Sequence, residues 1–536
     1  MSTIDLSLTR IRSLCTHLPP YTRPTIHIAG TNGKGSVSAL LTSILGTLRI
    51  GRFNSPHLVH IHDCISINNK PVSLASYTTA RHQIEDADTS HGTCLSSFEL
   101  LTLTALRIFE DAAVDIVILE VGMGGLLDAT NVIPTSTVLC SALTAVDLDH
   151  QAFLGTTVAQ IARHKAGIAR PGRPFVLGPQ NDDSIQQVVE EVVLHAGGTL
   201  LRSPRVHANS GSSSSASGLP PPPQRVHATL ESFPDRPICA SFPLQGDHQL
   251  DNLSTALGVI DALLFFSSKP ISESLANPDQ DLIEMMGTLN LPSRLTPETI
   301  ERGIQDVQWP GRLSFRLLQI PIHPVDNPTT TITAPLLILA DGAHNPASAH
   351  ALGAYISRLQ STTIVPITYI LALSHSPPKT PYDTLAPIFA PLVSSPSAPP
   401  NLKPGIALLP FTPPAGMPWV RPVDPHVLHE TVVQLFCSAA PEEASLGITN
   451  QVEIRIFDDD THTPETNTFE RPDMNTSEGF NRPLVDALRW AAARHRPVEV
   501  DDLASQLSRG LVVLAGSLYL VADFYRLLEG GFGSGG

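Results

Sequence analysis

A strand, a tight glycine-rich turn and a helix that begins inside the turn follow one another from Thr25 to Leu41, and no other stretch restricts the fold as much. Thr25-Ile26-His27-Ile28-Ala29 reads as a buried strand, Gly30-Thr31-Asn32-Gly33-Lys34-Gly35-Ser36 as the turn, and Val37-Ser38-Ala39-Leu40-Leu41 as helix. Such a unit makes an anion cradle, because backbone N–H groups converge at a helix N-terminus whose dipole favours negative charge. Gly30, Gly33 and Gly35 permit close backbone approach, Lys34 would balance charge on a transferred phosphate, and Ser36 would contact a phosphate or a metal ion. The loop is not the strict G-x-x-x-x-G-K-[ST] pattern: Ile28 stands at its first glycine, and Gly35 separates Lys34 from Ser36. The plain alternative is a glycine-rich turn with an incidental lysine.

Further along, a helix over Phe98 to Phe109 precedes strand-like runs at Val114–Leu119 and Thr137–Leu143. This alternation favours an α/β fold with a mostly parallel sheet. A second strand–turn–helix unit begins at Leu336–Ala340 and turns through Asp341-Gly342-Ala343-His344-Asn345-Pro346. Leu511–Ser517 and the helix after it suit a closing strand and helix. A chain of 536 residues is too long for one core, and roughly two to four units are expected. The boundary is placed near 315, after Trp309-Pro310-Gly311-Arg312. Residues 208–223 are rich in serine and proline and predict a mobile insertion, taken as about 203–226. Residues 268–293 and 394–404 read as irregular, and 457–480 as polar with little periodicity.

The formal charge of -16 argues against general affinity for nucleic acid or an anionic membrane. Six scattered cysteines lack any C-x-x-C pair, which predicts free thiols in a reducing compartment. The first residues lack the apolar stretch of a signal peptide, and no uninterrupted apolar run approaches about 20 residues. The expectation is a cytoplasmic monomer that spans no membrane.

Glu120 closes a buried strand and enters a second glycine-rich turn, where a nucleotide enzyme would hold magnesium. His150 lies just beyond another apolar strand, and Lys165 sits in a helical pattern. Taken singly, a structural histidine and a surface lysine are the plainer readings. Asp341 and His344 follow the first strand of the second unit, and ligands of open sheets gather beyond strand C-termini.

In order, HIAGTNGKGSV (27–37), SPHL (55–58), SSFELLTLTAL (96–106), LEVGMGGLLDATN (119–131), LDHQAFLG (148–155), KAGI (165–168), HQLDNLSTAL (248–257), WPGR (309–312) and DGAHNP (341–346) resemble the folate branch of the Mur-ligase-like superfamily, the dihydrofolate and folylpolyglutamate synthases. The resemblance implies an N-terminal P-loop ATPase domain over 1–315 and a smaller Rossmann-like C-terminal domain over 316–536 that serves glutamate ligation. It implies ATP contacts from Thr31, Asn32, Gly33, Lys34, Gly35, Ser36, Asn252, Arg312 and Asp341. It also implies magnesium ligands Ser55, Glu120 and His150, with Lys34, Lys165 and His344 as catalytic residues and Lys165 carried as a carbamate. The pteroate-type substrate would meet Asp5, Leu6, Ser7, Leu8, Ser96, Ser97, Phe98, Glu99, Leu127, Asp128 and Ala129.

Two positions depart from the family pattern. Leu126 stands where an arginine is usual and cannot supply a guanidinium. His164 stands where an acid usually precedes the modified lysine. The implied reaction joins dihydropteroate to L-glutamate with ATP cleavage, through an acyl phosphate, with the second domain closing over the nucleotide. TNGKGS, where eukaryotic polyglutamate-adding members tend to read TKGKGS, and SSFELLT favour dihydrofolate synthesis. The long insertions suggest a fungal source. Polyglutamylation of reduced folate, a bifunctional enzyme, and a non-catalytic nucleotide-binding regulator are the alternatives.

Overall fold

The computed structural model describes residues 7–208, 218–268, 280–322, 332–363, 365–393, 403–414, 417, 419–438, 452–458, 481–495 and 510–532. The chain divides into two compact units, Met1–Ser214 with Pro222–Trp309, and Ser215–Pro221 with Pro310–Gly536. The division thus falls at Trp309/Pro310.

Eight strands form the main sheet of the first unit: β1 (Thr25–Ala29), β2 (Ile50–Phe53), β3 (Ile65–Ile67), β4 (Lys70–Pro71), β5 (Ile116–Glu120), β6 (Val138–Leu143), β7 (Pro174–Leu177) and β8 (Thr199–Arg202). Their order is β4-β3-β2-β5-β1-β6-β7-β8. The pairs from β2 to β8 are parallel, and β3 and β4 add an antiparallel edge. Every residue of β1, β5 and β6 is buried. Strands covered on both faces read as continuous apolar runs, which is why these three stood out in the sequence. The helix Lys34–Ile44 packs its Val37, Leu40 and Leu41 with Ile26, Ile28 and Ile118 on one face. The helix Ser97–Asp111 packs with Phe53, Val117 and Leu119 on the other.

A smaller antiparallel sheet holds β9 (Val206–Ala208), β10 (Gln224–Leu230) and β11 (Phe233–Phe242) in the order β11-β10-β9. The mobile insertion predicted over 203–226 is therefore too wide. Val206, His207 and Ala208 pair with β10, and only 209–217 lie outside the described residues. The irregular reading of 268–293 is likewise corrected over its second half, where Gln280–Leu289 and Leu291–Arg294 are helical. Leu282, Met286, Leu289 and Leu291 are buried in the core, so burial of an apolar stripe overrides the punctuation by proline. Residues 269–279, 394–402 and 459–480 lie outside the described residues.

Among the described residues one helix, Asp247–Ser267, is long and apolar enough to cross a membrane, which the count of uninterrupted apolar residues did not show. Of its most apolar 18-residue stretch, 72% is buried. There Leu253, Leu257, Ile260 and Leu264 join the same core as β1 and the helix Lys34–Ile44, so it is a core helix.

The second unit contains β12 (Ser314–Ile322), β13 (Ile332–Ala340), β14 (Ile367–Leu371), β15 (Gly405–Leu408), β16 (Glu453–Ile456) and β17 (Leu511–Ala515). The sheet order is β12-β13-β17-β14-β15-β16, parallel except for β12.

Candidate active site

The turn after β1 is held from beneath. Thr31 and Asn32 N–H donate to the Ala145 carbonyl at 2.8 and 3.2 Å, and the Thr144 hydroxyl donates to Asn32 O at 2.7 Å. These contacts tie the turn to the end of β6. The helix itself starts at Gly33, which adopts φ 93°, and no side chain caps the first turn. The amides of Lys34, Gly35 and Ser36 are thus the uncapped first-turn donors, a geometry suited to an anion. A Cβ on Gly33 would lie 2.0 Å from Asn252 Oδ1, and one on Gly35 2.5 Å from Trp309 Cζ2. Asn252 is buried and donates to Gln249 Oε1 at 2.9 Å. The structure therefore brings Asn252 to the loop, as the motifs imply.

Lys34 Nζ donates to the carbonyls of Gly30 and Thr31 at 3.1 and 3.2 Å and lies 3.9 Å from Glu120 Oε1. Glu120, only 5% exposed, accepts from Asn54 Nδ2 at 2.6 Å. Ser55 follows Asn54 directly beyond β2. Lys165, on the helix Val158–Ala166, is buried and donates to Gly30 O at 2.8 Å. Burial first, and the charge of Lys34 second, push its pKa down to about 7 against the opposing pull of Asp149 and Asp128. His150 is half exposed at φ 50°, and its Nε2 lies 3.7 Å from Asp149 Oδ2. Among the described residues no group of three or more His, Cys, Asp or Glu side chains is gathered to hold a metal. A Ser–Glu–His set, with two oxygen donors and a single carboxylate, lies outside that pattern. Hard oxygen donors such as the Ser55 hydroxyl and the buried Glu120 carboxylate suit magnesium.

The predicted substrate residues serve several ends. Ser96 and Glu99 form a capping box: Ser96 N donates to Glu99 Oε2 at 2.7 Å, and Glu99 N donates to Ser96 Oγ at 3.3 Å. Glu99 Oε2 also accepts from Arg10 at 3.1 Å. Ser97 is exposed at the helix start, and the Phe98 ring lies against Gly122. Asp128 is buried and accepts from Met123 N, Thr130 N and Thr130 Oγ1 at 2.8, 3.0 and 2.6 Å. Ala129 is buried beside it, whereas Leu126 and Leu127 are 47% and 42% exposed. Ser7 is exposed and Leu8 buried before the helix Thr9–Cys15. Asp5 and Leu6 lie outside the described residues.

In the second unit, Asp341 takes Leu313 N and Ala343 N at 2.8 Å each. Arg312 Nη1 donates to Gly311 O at 2.9 Å and lies 2.5 Å from where a Cβ on Gly342 would stand. His344 Nδ1 is 2.8 Å from Gly342 O, and Asn345 caps the helix Pro346–Thr362 through Ser348. Asp341 and His344 therefore share the turn at the end of β13, and Arg312, just before β12, lies against it.

The model of the dihydrofolate synthetase C-terminal domain matches residues 325–459, and that of the Mur ligase middle domain matches residues 28–260. The dihydrofolate synthetase of Saccharomyces cerevisiae is 34% identical over 437 residues, 80% of this chain and 87% of that protein. The chain belongs to the dihydrofolate synthetase family. A probable dihydrofolate synthetase of Schizosaccharomyces pombe is 29% identical across 98% of this chain and 99% of its own. The bifunctional folylpolyglutamate synthase/dihydrofolate synthase solved with Mn, AMPPNP and L-glutamate bound shares the fold, with a TM-score of 0.62, 23% identity, and coverage of 98% of this chain and 95% of that one. The Mur-ligase-like α/β fold implied by the motifs is thus the fold of the dihydrofolate synthetase family.

Some residues around the loop escaped the sequence reading. Asn54 precedes the quoted SPHL block, and nothing in its spacing announces a bond to Glu120. Asp147 accepts from Asn32 Nδ2 at 3.4 Å, and burial raises its pKa. Arg52 lies over the Trp309 ring at 5.2 Å, and burial lowers its pKa to about 10 against the pull of Glu120.

Proposed function

We propose that the chain is an ATP-dependent ligase that joins 7,8-dihydropteroate to L-glutamate, giving dihydrofolate, ADP and phosphate. The uncapped amides of Lys34, Gly35 and Ser36, set beside the Lys34–Glu120 pair, carry this reading. They supply donors and charge where a γ-phosphate is transferred. The co-substrates are ATP and L-glutamate, and the reaction uses a divalent metal, here assigned as magnesium held by Ser55, Glu120 and His150. When bound, the ion would neutralise charge on the phosphate oxygens.

The protein's own groups account for the rest. The amides and Lys34 hold the phosphates for in-line attack by the pteroate carboxylate, which forms an acyl phosphate with ADP leaving. The glutamate amine then adds to the acyl carbon, and the tetrahedral intermediate collapses to the amide as phosphate departs. Asn252, Arg312, Asp341 and His344 contact the nucleotide. Lys165 is carried as a carbamate, an adduct that forms only on a neutral amine. Phe98 offers a ring face beside Gly122, and Leu126 and Leu127 offer apolar contact in place of a guanidinium.

Phosphate release by purified protein is expected only when ATP, dihydropteroate and glutamate are all present. If ATP binds but no folate precursor elicits phosphate, the ligase reading fails. If tetrahydrofolate substitutes fully and dihydropteroate is inert, the reaction is polyglutamylation.

A further inference from the structure

His27 lies in the middle of β1, wholly buried, and has no role in the site described above. Neighbouring residues of a strand face opposite sides of their sheet. Ile26 and Ile28 pack with the helix Lys34–Ile44, so the His27 side chain leaves the sheet on the other side. There its Nε2 lies 2.9 Å from Thr130 Oγ1. The Thr130 hydroxyl donates to Asp128 Oδ1 at 2.6 Å, so its hydrogen is committed and its lone pair accepts from Nε2–H. This sets the tautomer, and it leaves Nδ1 as a bare lone pair with no partner. Burial, followed by the charge of Arg170, keeps the pKa well below the usual histidine range, so the ring stays neutral.

Asp128 joins this line to the substrate side. Its other oxygen accepts from Met123 N at 2.8 Å, and Thr130 N donates to Oδ1 at 3.0 Å. The carboxylate thereby fixes both ends of the segment 123–130, which carries Leu126 and Leu127. Asn131 Nδ2 donates to Leu126 O in the middle of that segment, 2.9 Å away, and Asn131 Oδ1 accepts from Arg170 Nη2 at 2.6 Å.

We propose that His27 is a positioning residue for the pteroate side of the site, fixing the Asp128 turn through Thr130 while the phosphate-loop helix on the opposite face of the sheet stays in place. The inference rests on the ligase reading above. A buried hydrogen bond of this kind contributes roughly one factor of ten.

The test compares His27→Phe, which keeps bulk but removes the donor, with Thr130→Val and the conservative Thr130→Ser. His27→Phe and Thr130→Val should each raise the KM for dihydropteroate about tenfold and leave the KM for ATP within about twofold. The double variant should be little worse than either single, because both break the same line. Hydrogen exchange should quicken in the peptide containing Met123 and Thr130, and Thr130→Ser should restore both readouts. Equal rises in the two KM values, fully additive effects, or unaltered exchange would overturn the proposal. If His27→Phe does not fold, the Thr130→Val and Thr130→Ser pair decides alone. A wild-type protein inert with dihydropteroate sinks the dihydrofolate-forming reading and this proposal's substrate together. A working wild type whose variants keep their dihydropteroate KM sinks this proposal only.

Discussion

Two ammonium groups donate to one carbonyl oxygen beneath the phosphate loop, those of Lys34 and Lys165 on Gly30 O. Burial first, and the charge of Lys34 second, disfavour the charge of Lys165, whose pKa comes down to about 7. The unmodified lysine therefore favours folding above its ordinary pKa of about 10.5, and this contribution is lost as pH falls to about 7. The same shift makes the amine chemically available: at pH 7 about half of it is neutral, against roughly one part in 3,000 for an ordinary lysine. Carbon-13 NMR with labelled carbon dioxide should show a protein-bound carbamate that grows from pH 6 to pH 8 and is absent in Lys165→Arg. Equal labelling in that variant would remove Lys165 as the site. At Glu120, the expected cost lies in turnover: Glu120→Gln should lower kcat about a hundredfold or more while the melting temperature moves little. The amide still meets Lys34 and Asn54 but lacks the charge to hold a divalent ion. Near-normal metal-dependent turnover would take Glu120 out of the site.

The strand–loop–helix element works only with a glycine at its hinge. Gly33 holds φ 93° and stands where a side chain would run into Asn252. Gly33→Ala should therefore lose ADP affinity and turnover, at a stability cost of about 1–2 kcal/mol from the left-handed backbone alone. Gly92→Ala is the matched control, since Gly92 has φ 63° but nothing within 4 Å of its added Cβ. It should lower stability by a similar amount, as read by urea unfolding, and leave phosphate release unchanged; parallel losses of activity would show that Gly33 acts through stability only. Elements of this kind were legible because β1, β5 and β6 are buried on both faces and so print as apolar runs. The capping box Ser96–Glu99 was legible too, as S-x-x-E before an apolar run, although the motif resemblance drew attention to substrate instead. Asn54, Asp147 and Arg52 were not legible, because what matters about them is contact across sequence separations that no local pattern records. The helices over 280–294 were hidden for a related reason: proline and polar residues punctuate them, and only packing against a distant core makes them helical.

Each unit owns a core. In the first, Ile26, Leu40, Ile118 and Leu257 belong to one cluster. In the second, Leu339, Ile356, Tyr369 and Val513 belong to another. Chains with separate cores seldom unfold in one step, so calorimetry should resolve more than one transition. The uncapped amides at Lys34–Ser36, proposed to bind the phosphates, belong to the first unit, and a ligand that binds only the folded form stabilises it by about 2.7 kcal/mol at a hundred times its dissociation constant. ADP with magnesium should accordingly raise the transition of the first unit by a few degrees. Gly33→Ala should abolish the shift, because the amides no longer present the same cradle. The assignment of each transition can be made with probes at Trp309 and Trp490, the first in the unit ending there and the second in the helix Arg482–Arg494 of the other unit. A first-unit transition indifferent to ADP would mean that the turn at Gly30–Ser36 is only a turn. The nucleotide would then have to be sought at other residues, and the ligase assignment would lose the observation on which it stands.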